Sequence, residues 1–311
     1  MSSQQIPGIA TPASEIEIDA SLVQSLLTSQ HPDLEHLPLH LVDAGWDNVI
    51  FRLGEQLSVR LPRRQLAATF IEHEQNWLPQ LPTLPIPIPL PCRLGLPGQG
   101  YPWKWSVVPW LSGVTADRCE LNHDQAQRFA AFLKALHTPA PPNAPSNQFR
   151  GLPLHHQVAL FAERMQSLEQ AQAFWQFLST LISPAIQQVW KQALDMPIDV
   201  APTWIHGDLH PRNVLVENGV LTGVIDWGNI TAGDPATDLA AIWMLFSEPQ
   251  TRQKVALEYH TSNKTLLRAK GWAIYFGVVL LGIGLIGSPQ YAAIGLKILQ
   301  RIGEDASLFT E

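Results

Sequence analysis

The chain has 311 residues, and its 46% hydrophobic content is enough to bury a sizeable core. Its 27 acidic residues outnumber its 20 Lys and Arg residues, which gives a formal net charge of -7. Because the sequence contains no basic tract, it lacks the electrostatic footprint of a nucleic-acid-binding protein. We therefore expect a globular protein of about two domains that binds a cationic or neutral small molecule.

Two features bear on the cellular compartment. Cys92 and Cys119 are the only cysteines, and they stand far apart without the spacing of a metal site. We interpret them as buried, reduced thiols, which indicates the cytoplasm. The first eighteen residues lack the basic start and apolar core of a signal peptide, so we interpret them as a loose lead-in. The sequence gives no indication of oligomeric state.

The first third of the chain predicts one helix and then several strands. Asp19 can cap a helix that runs through about Leu27 with apolar residues at helical spacing. Short apolar, β-favouring runs separated by turn residues then predict three strands. These strands cover Leu39–Val42, Val49–Leu53 and Leu57–Leu61.

The next helix, predicted from Arg64 to Leu81, carries one acidic residue on its apolar face. Glu74 lies three or four positions from the apolar residues of that face, whereas Glu72 falls on the polar face. A carboxylate among apolar side chains is costly unless it is paired. We therefore expect Glu74 to have a cationic partner inside the protein.

An extended connector and one more strand follow. Leu84–Pro91 has too many prolines for a central strand, and a proline-rich ligand for another protein is the alternative interpretation. Tyr101–Leu111 is predicted to form the last strand of this part of the chain and the connection that follows it. Its aromatic residues either pack in the core or line a pocket.

The part after Ser112 is predicted to be mainly helical. One helix begins at Asn122 or His123 and ends near His137, which we interpret as a favourable partner of the helix dipole rather than as a catalyst. Further helices are predicted around Leu154–Leu168 and Ala171–Leu194.

The polar residues with the clearest chemistry follow a short apolar run. His206-Gly207-Asp208 comes directly after Trp204-Ile205, so Asp208 is predicted to emerge from a buried segment into a loop. Two apolar runs then flank Asn218-Gly219, which is the strongest short hairpin signal. Because a hairpin brings its ends together, Asn213 and Asp226 should lie side by side, close to Asp208.

Two carboxylates and an amide at one place suit phosphoryl transfer. This reaction needs a carboxylate that accepts a hydroxyl proton, the role we predict for Asp208, and oxygen ligands for Mg²⁺, the role we predict for Asn213 and Asp226. The alternative is an acidic surface hairpin in which these residues only form turns. Four elements in order and at workable spacing favour the first interpretation.

The order H-x-D-x-x-x-x-N, hairpin, D-x-G resembles the protein-kinase-like catalytic core. With His-Gly-Asp and Asp-Trp-Gly in these places, the chain is similar to the aminoglycoside phosphotransferase family. The resemblance implies an α+β, bilobal protein-kinase-like fold. In it, residues 1–111 form a small lobe with an antiparallel sheet and one key helix, and residues 112–311 form a larger, mainly helical lobe. It also implies an enzyme that transfers the γ-phosphate of ATP or GTP to a small-molecule hydroxyl with Mg²⁺.

The resemblance assigns roles to residues of the small lobe. Arg60 stands where protein kinases carry a phosphate-binding Lys, and its expected partner is Glu74; a solvated edge-strand Arg is the alternative. The loop before Asn48 would contact phosphates through its amides and through Asn48, unless it is an ordinary turn. Val108 and Trp110 would contact the base from the hinge, where Pro109 supplies no N–H.

Other residues would support the site. The resemblance implies that Asp238, in a helix that Asp234-Pro235 begins, hydrogen-bonds the loop around Asp208, and that His206 braces this loop. His210 and Arg212 are not assigned: Arg212 either contacts phosphate or forms a salt bridge outside the site.

The last part of the chain bears on the acceptor and on membranes. Trp272–Gly287 is almost wholly apolar but shorter than the roughly 20 residues of a membrane-spanning helix, so we expect a buried helix and no membrane partner. Because the tail from Ser247 has few acids, an antibiotic-like, macrolide-like or metabolite alcohol is favoured over a polycation. A catalytically idle nucleotide-binding or interaction protein is the second functional hypothesis, since loop glycines are scarce and Arg60 replaces Lys.

Overall fold

The computed structural model describes residues 13–158, 176, 179–286 and 289–307. Its first unit begins with a helix. This helix, α1, spans Ala20–Gln30, and the Asp19 side chain caps it by accepting a hydrogen bond from the Leu22 N–H at 2.8 Å. Val23, Leu26 and Leu27 recur at helical spacing and are fully buried, so α1 packs on the sheet that follows.

A five-stranded antiparallel sheet forms the body of this unit, in the order β1-β2-β3-β5-β4. Its strands are β1 (Leu39–Ala44), β2 (Asn48–Leu53), β3 (Leu57–Pro62), β4 (Arg93–Gly95) and β5 (Trp105–Pro109). The three strands predicted before residue 62 are confirmed within two residues. The strand β4 was not predicted, because three residues are too few to show an alternating pattern.

The helix α2 spans Gln65–Trp77 and continues into a single 3₁₀ turn, Leu78–Gln80. Its apolar residues Ala67, Ala68 and Ile71 are buried, and Glu74 lies fully buried on the same face. Glu72 is half-exposed and pairs with Lys104 at 3.6 Å. The helical periodicity therefore separated the two glutamates correctly.

The remaining strands belong to two small sheets. The strands β6 (Val114–Thr115), β8 (Val214–Glu217) and β9 (Val220–Val224) form one sheet, and β7 (Thr203–Ile205) pairs with β10 (Thr231–Gly233) in the other. The predicted hairpin is confirmed: Asn218 and Gly219 both have positive φ, at 52° and 78°, which matches the twist of a two-residue hairpin turn.

Helices make up most of the second unit. They are α3 (Gln125–Leu136), α4 (Pro184–Leu194), α5 (Ala236–Leu239), α6 (Ala241–Leu245), α7 (Pro249–Tyr259), α8 (Asn263–Ile286) and α9 (Pro289–Ser307). Residues 171–175, 177 and 178 of the helix predicted over Ala171–Leu194 lie outside the described residues, and its last part forms α4, which Ser183 caps and in which Pro184 occupies the first turn. Most of the other helix predicted around Leu154–Leu168 lies outside the described residues.

The apolar run that raised the membrane question lies within α8, which is longer than predicted. Over Asn263–Gly284 this helix is long and apolar enough to cross a membrane by length and composition, but 72% of its apolar window is buried inside the protein. It packs on α9 so closely that a Cβ at Gly295 would overlap the backbone of Gly277 and Leu281. Extensive burial of this kind is expected of a core helix.

The cysteine prediction is wrong in one respect. Cys92 is exposed and Cys119 is only partly buried, so neither thiol belongs to the core. Both are free, as predicted. Apart from this, the described residues form the α+β arrangement expected from the sequence, with one apolar core under the five-stranded sheet and a larger one among the helices.

Candidate active site

The loop that carries Asp208 is held by a buried carboxylate. After β7, the N–H groups of His206 and Gly207 donate to the two Asp238 oxygens at 2.6 and 2.8 Å. Asp238 is fully buried in α5, and His137, at the end of α3, contacts the same carboxylate at 3.3 Å. A buried charge with three donors is fully satisfied, so it fixes the backbone of the loop.

The His206 ring ties this loop to the end of the hairpin. It is fully buried and tilts against the Trp227 ring at 4.6 Å between centroids. Its Nδ1 accepts the Asp208 N–H at 3.2 Å, which leaves the proton on Nε2 to donate to the Ile225 carbonyl at 3.0 Å. The positions of Asp208 and of the residue before Asp226 are thus set by one ring.

Two cationic or polar groups surround the Asp208 carboxyl. Arg150 Nη2 lies 3.3 Å from Oδ1, and His210 Nε2 lies 3.7 Å from Oδ2. Burial alone would raise the pKa of Asp208, but His210, Arg150 and His206 together hold this pKa below its ordinary value. Asp208 is therefore ionised at neutral pH and can accept a proton.

Asn213 and Asp226 flank the start and end of the hairpin, as the sequence predicted. The Ile225 N–H donates to the Asn213 carbonyl at 2.9 Å, which closes the hairpin next to both residues. The Asn213 side-chain N–H donates to the Asp208 carbonyl at 2.9 Å, so its amide oxygen is left for another partner. Asp226 has a positive φ of 62° and a half-exposed carboxylate.

These two side chains fit a magnesium ion. Mg²⁺ prefers one or two protein oxygens together with substrate phosphates and water. The Asp226 carboxylate, which has only Arg60 near it at 3.8 Å, and the Asn213 amide oxygen, which accepts no hydrogen bond from the described residues, lie at the ends of one hairpin and supply such a pair. The left-handed backbone of Asp226 is uncommon for a residue other than glycine, and strain of this kind clusters at functional sites.

A buried ion pair links the small sheet to the Asp226 loop. Arg60, in β3, lies 2.5 Å from Glu74 Oε2, and Glu74 Oε1 accepts the Trp227 N–H at 3.0 Å. Arg60 also lies 3.8 Å from Asp226. Burial disfavours the guanidinium charge, but Glu74 and Asp226 overcome it and raise the pKa of Arg60. The sequence predicted the Arg60–Glu74 pair but not the bond to Trp227.

The residues expected at the nucleotide end also line the cleft. Asn48 is buried, and its side-chain oxygen has no hydrogen-bond partner within the described part of the chain. Val108 pairs with Ser58 in the sheet, and the Trp110 N–H donates to the Gln56 carbonyl at 2.7 Å. Pro109 has no N–H, and the Trp110 N–H is used within the sheet. This stretch therefore has few backbone donors left for a ligand.

One cleft of about 700 Å³ is lined by the proposed catalytic, metal-binding and nucleotide-binding residues, Asp208, Asn213, Asp226, Arg60, Asn48, Val108 and Trp110. One side is formed by β2, β3 and the end of β5, and the opposite side by α8, α9 and the Asp208 loop. The side formed by α8 and α9 is lined by Phe276, Val279, Leu280, Ile283 and Tyr291. The sequence contained no motif for these residues, because an apolar helix face that lines a cleft has the same residue pattern as a face that packs in a core.

His210 and Arg212, which the sequence left unassigned, lie on this opposite side as well. The Nδ1 of His210 accepts the Arg212 N–H at 3.2 Å, and burial lowers the pKa of His210 despite the nearby Asp208. Arg212 lies 3.6 Å from Asp117, and its guanidinium stacks over the Tyr291 ring at 5.1 Å. Arg212 therefore combines a salt bridge with a place in the cleft wall.

The fold is similar to that of solved phosphotransferase structures. The structure is similar to the GDP and kanamycin complex of APH(2")-IIia, with a TM-score of 0.67, 18% identity and coverage of 91% of this chain and 98% of that chain. It is also similar to macrolide 2'-phosphotransferase type I, with a TM-score of 0.56, 20% identity and coverage of 92% and 99%. These likenesses confirm the protein-kinase-like fold predicted from the sequence.

Sequence comparison gives shorter matches. The chain is 40% identical to viomycin phosphotransferase of Streptomyces vinaceus over 80 residues, which are 24% of this chain and 28% of that protein. The curated relatives that it matches are each covered over between 18% and 59% of their own length. The sequence model of the phosphotransferase enzyme family, APH, matches residues 39–272, about three quarters of the chain. The chain therefore belongs to the APH phosphotransferase enzyme family.

Proposed function

We propose that this protein is a Mg²⁺-dependent small-molecule O-phosphotransferase that transfers the γ-phosphate of ATP or GTP to an alcohol. One observation carries the proposal. Asp208, Asn213 and Asp226 meet at one cleft, where an ionised carboxylate that Asp238 and His206 hold in place stands beside two free oxygen ligands. Phosphoryl transfer requires these components and little covalent chemistry from the protein.

In the proposed reaction, Asp208 accepts the proton of the acceptor hydroxyl as that oxygen attacks the γ-phosphorus. A new P–O bond forms to the acceptor, the bond between the γ-phosphorus and the bridging oxygen breaks, and the nucleoside diphosphate leaves. The low pKa of Asp208 keeps the carboxylate ready at neutral pH. Its main contribution is to orient the hydroxyl, since general-base catalysis alone supplies about 10²–10⁴-fold.

The small lobe is proposed to hold the nucleotide. Arg60 is preorganised by Glu74 and can donate to phosphate oxygens. Asn48, which lines the same cleft, is proposed to donate to them through its side-chain NH₂ group, since its amide oxygen can only accept. Val108 and Trp110 are proposed to contact the base from the hinge. Because the Trp110 N–H is already bonded to Gln56, we assign the Trp110 contribution to its ring or its carbonyl.

Asn213 and Asp226 are proposed to hold the metal ion. When bound, Mg²⁺ would supply positive charge that neutralises the phosphates. The bond from Trp227 to Glu74 couples Asp226 to Arg60, so the metal ligand and the phosphate-binding cation are positioned together.

A thermal-shift titration with ATP and GTP, each with and without Mg²⁺, tests the proposal, because a ligand that binds the native state raises the unfolding midpoint. We expect a Mg²⁺-dependent rise with at least one nucleotide, and its loss in Asp226→Asn. Asp33→Asn, an exposed aspartate paired with Arg93, is the matched control and should keep the rise. No rise with either nucleotide in a folded sample would contradict the proposal.

A rise without any turnover would instead favour an idle nucleotide-binding protein. The contact between Arg150 and Asp208 is the observation that motivates this second candidate, since it occupies one oxygen of the proposed base. Formation of nucleoside diphosphate in the presence of hydroxylated compounds separates the two candidates.

A further inference from the structure

The acceptor end of the cleft carries two arginines stacked on aromatic rings. Arg150 lies over the Phe276 ring of α8 at 4.9 Å, and Arg212 over the Tyr291 ring of α9 at 5.1 Å. A guanidinium that rests on a ring is held in one orientation and keeps its N–H groups for a ligand. Asp208 contacts Arg150 at 3.3 Å, so Arg150 borders the point of reaction, and Arg212 lines the same cleft.

Arg150 has hydrogen-bonding capacity to spare. Its Nη1 donates to the Phe149 carbonyl at 3.2 Å and its Nη2 contacts Asp208. Its Nε is buried and has no hydrogen-bond partner among the residues that the structure describes. A buried donor without an acceptor is costly, so a ligand oxygen at this place would be favourable. Nothing in the proposed phosphoryl transfer uses this donor.

Three of the four carboxylates that line the cleft within the described ranges are already committed. Asp208 and Asp226 belong to the proposed chemistry, and Asp47, in the small-lobe loop, pairs with Arg64 at 2.6 Å. Asp43 lies in β1, on the small-lobe side of the cleft. Among the described residues, the acceptor side thus offers apolar side chains, His210 and three arginines, Arg118, Arg150 and Arg212, and the cleft lining adds no carboxylate on this side beyond those of the proposed chemistry.

We propose that the acceptor is an alcohol with an apolar body and a carboxylate, which Arg150 and Arg212 bind. The apolar body would lie on Val279 and Ile283. The fork of an arginine matches a carboxylate in geometry. Each arginine already has one carboxylate neighbour, Asp208 or Asp117, so little positive charge remains, which favours a singly charged group over a phosphate. This inference rests on the proposed phosphotransferase function.

A set of matched alcohols tests the charge of the acceptor. Hydroxy acids of graded chain length are each compared with the corresponding hydroxy amide and amino alcohol, and nucleoside diphosphate formation and calorimetric binding are measured. We expect kcat/KM and affinity to be highest for the carboxylate and lowest for the amine, with about a tenfold difference between the extremes, the size of one charged hydrogen bond.

Arginine variants test which residues cause the preference. In Arg150→Gln and in Arg212→Gln, the ratio of kcat/KM for the hydroxy acid to that for the amide should fall about tenfold. Arg93→Gln makes the same change at an exposed arginine of β4, away from the cleft, and should leave the ratio unchanged. An equal ratio in all four proteins would overturn the assignment of these two arginines.

Two results would overturn the acceptor class itself. One is preference for the amine, and the other is a complete lack of binding and turnover with every hydroxy acid of the set. The Mg²⁺-dependent thermal shift with nucleotide, measured on the same sample, distinguishes the causes. If this shift is present and the amides or amines are phosphorylated, the acceptor inference is wrong while the proposed phosphotransferase function stands; if the shift is absent, or present without turnover of any alcohol, the function itself has failed.

Discussion

Replacement of Glu74 by alanine should cost far more stability than the same change at Glu72, two residues away on the opposite face of the same helix. Glu74 is fully buried and bonds both Arg60 and the Trp227 N–H, whereas Glu72 is half-exposed beside Lys104. The Glu74→Ala variant leaves a buried guanidinium without its closest partner and a buried N–H without an acceptor.

The expected magnitudes follow from these contacts. Removing one partner of a buried ion pair costs about 3–5 kcal/mol of the free energy of unfolding. Because Glu74→Ala also leaves the Trp227 N–H without an acceptor, we expect a loss at the upper end of this range. An exposed pair such as Glu72–Lys104 contributes about 1 kcal/mol or less. Urea denaturation, followed by tryptophan fluorescence, would measure both losses in the free energy of unfolding.

The same variant should also weaken nucleotide binding. Without Glu74, Arg60 is free to move toward Asp226, which lies only 3.8 Å away, and would compete with the metal ion for its ligand. The Mg²⁺-dependent thermal shift should therefore shrink in Glu74→Ala and persist in Glu72→Ala. Equal stability losses in the two variants would refute the reasoning, because burial and pairing are all that distinguish these glutamates.

Three further predictions concern the larger lobe. Arg268→Met should lower the free energy of unfolding by about 3 kcal/mol in urea denaturation, since buried Asp234 loses its partner at 2.7 Å; a loss below about 1 kcal/mol would argue against this role. Burial opposes ionisation of Asp199, but Arg268 lowers the pKa of this carboxyl group. The Asp199 carboxylate therefore contributes to the free energy of unfolding above about pH 4, and this contribution is lost as pH falls through the lowered pKa. Asp199→Asn should therefore lose less stability than the wild type between about pH 6 and pH 3. Gly295→Ala should lower the thermal midpoint although alanine favours helices, because its Cβ would overlap the Gly277 backbone; a raised midpoint would contradict the close packing of α8 on α9.

The catalytic segment was predictable because its signals are local. Asn218-Gly219 between two apolar runs specifies a hairpin, and a hairpin alone places Asn213 beside Asp226. Helical periodicity likewise identified Glu74 as the buried glutamate of α2. In each case the residues are close in sequence, so their spacing within one hairpin or one helix determines where their side chains lie.

The acceptor end could not be predicted, because its contacts join distant segments. Arg150 reaches Asp208 from a stretch 58 residues earlier in the chain, and Phe276 comes from a helix whose apolar face is continuous with the core. The use of the Trp110 N–H by Gln56 depends on the register between β3 and β5. The sequence shows none of these tertiary contacts.

The most direct test of the central claim is Mg²⁺-dependent formation of nucleoside diphosphate by the wild type and by Asp208→Asn, with hydroxylated acceptors of every charge class, the hydroxy acids, hydroxy amides and amino alcohols, offered in turn. The account predicts that the variant loses turnover by about a hundredfold or more while it keeps the Mg²⁺-dependent thermal shift with nucleotide. A wild type that binds Mg²⁺-nucleotide yet forms no more diphosphate than Asp208→Asn would contradict the claim that this cleft transfers phosphoryl groups.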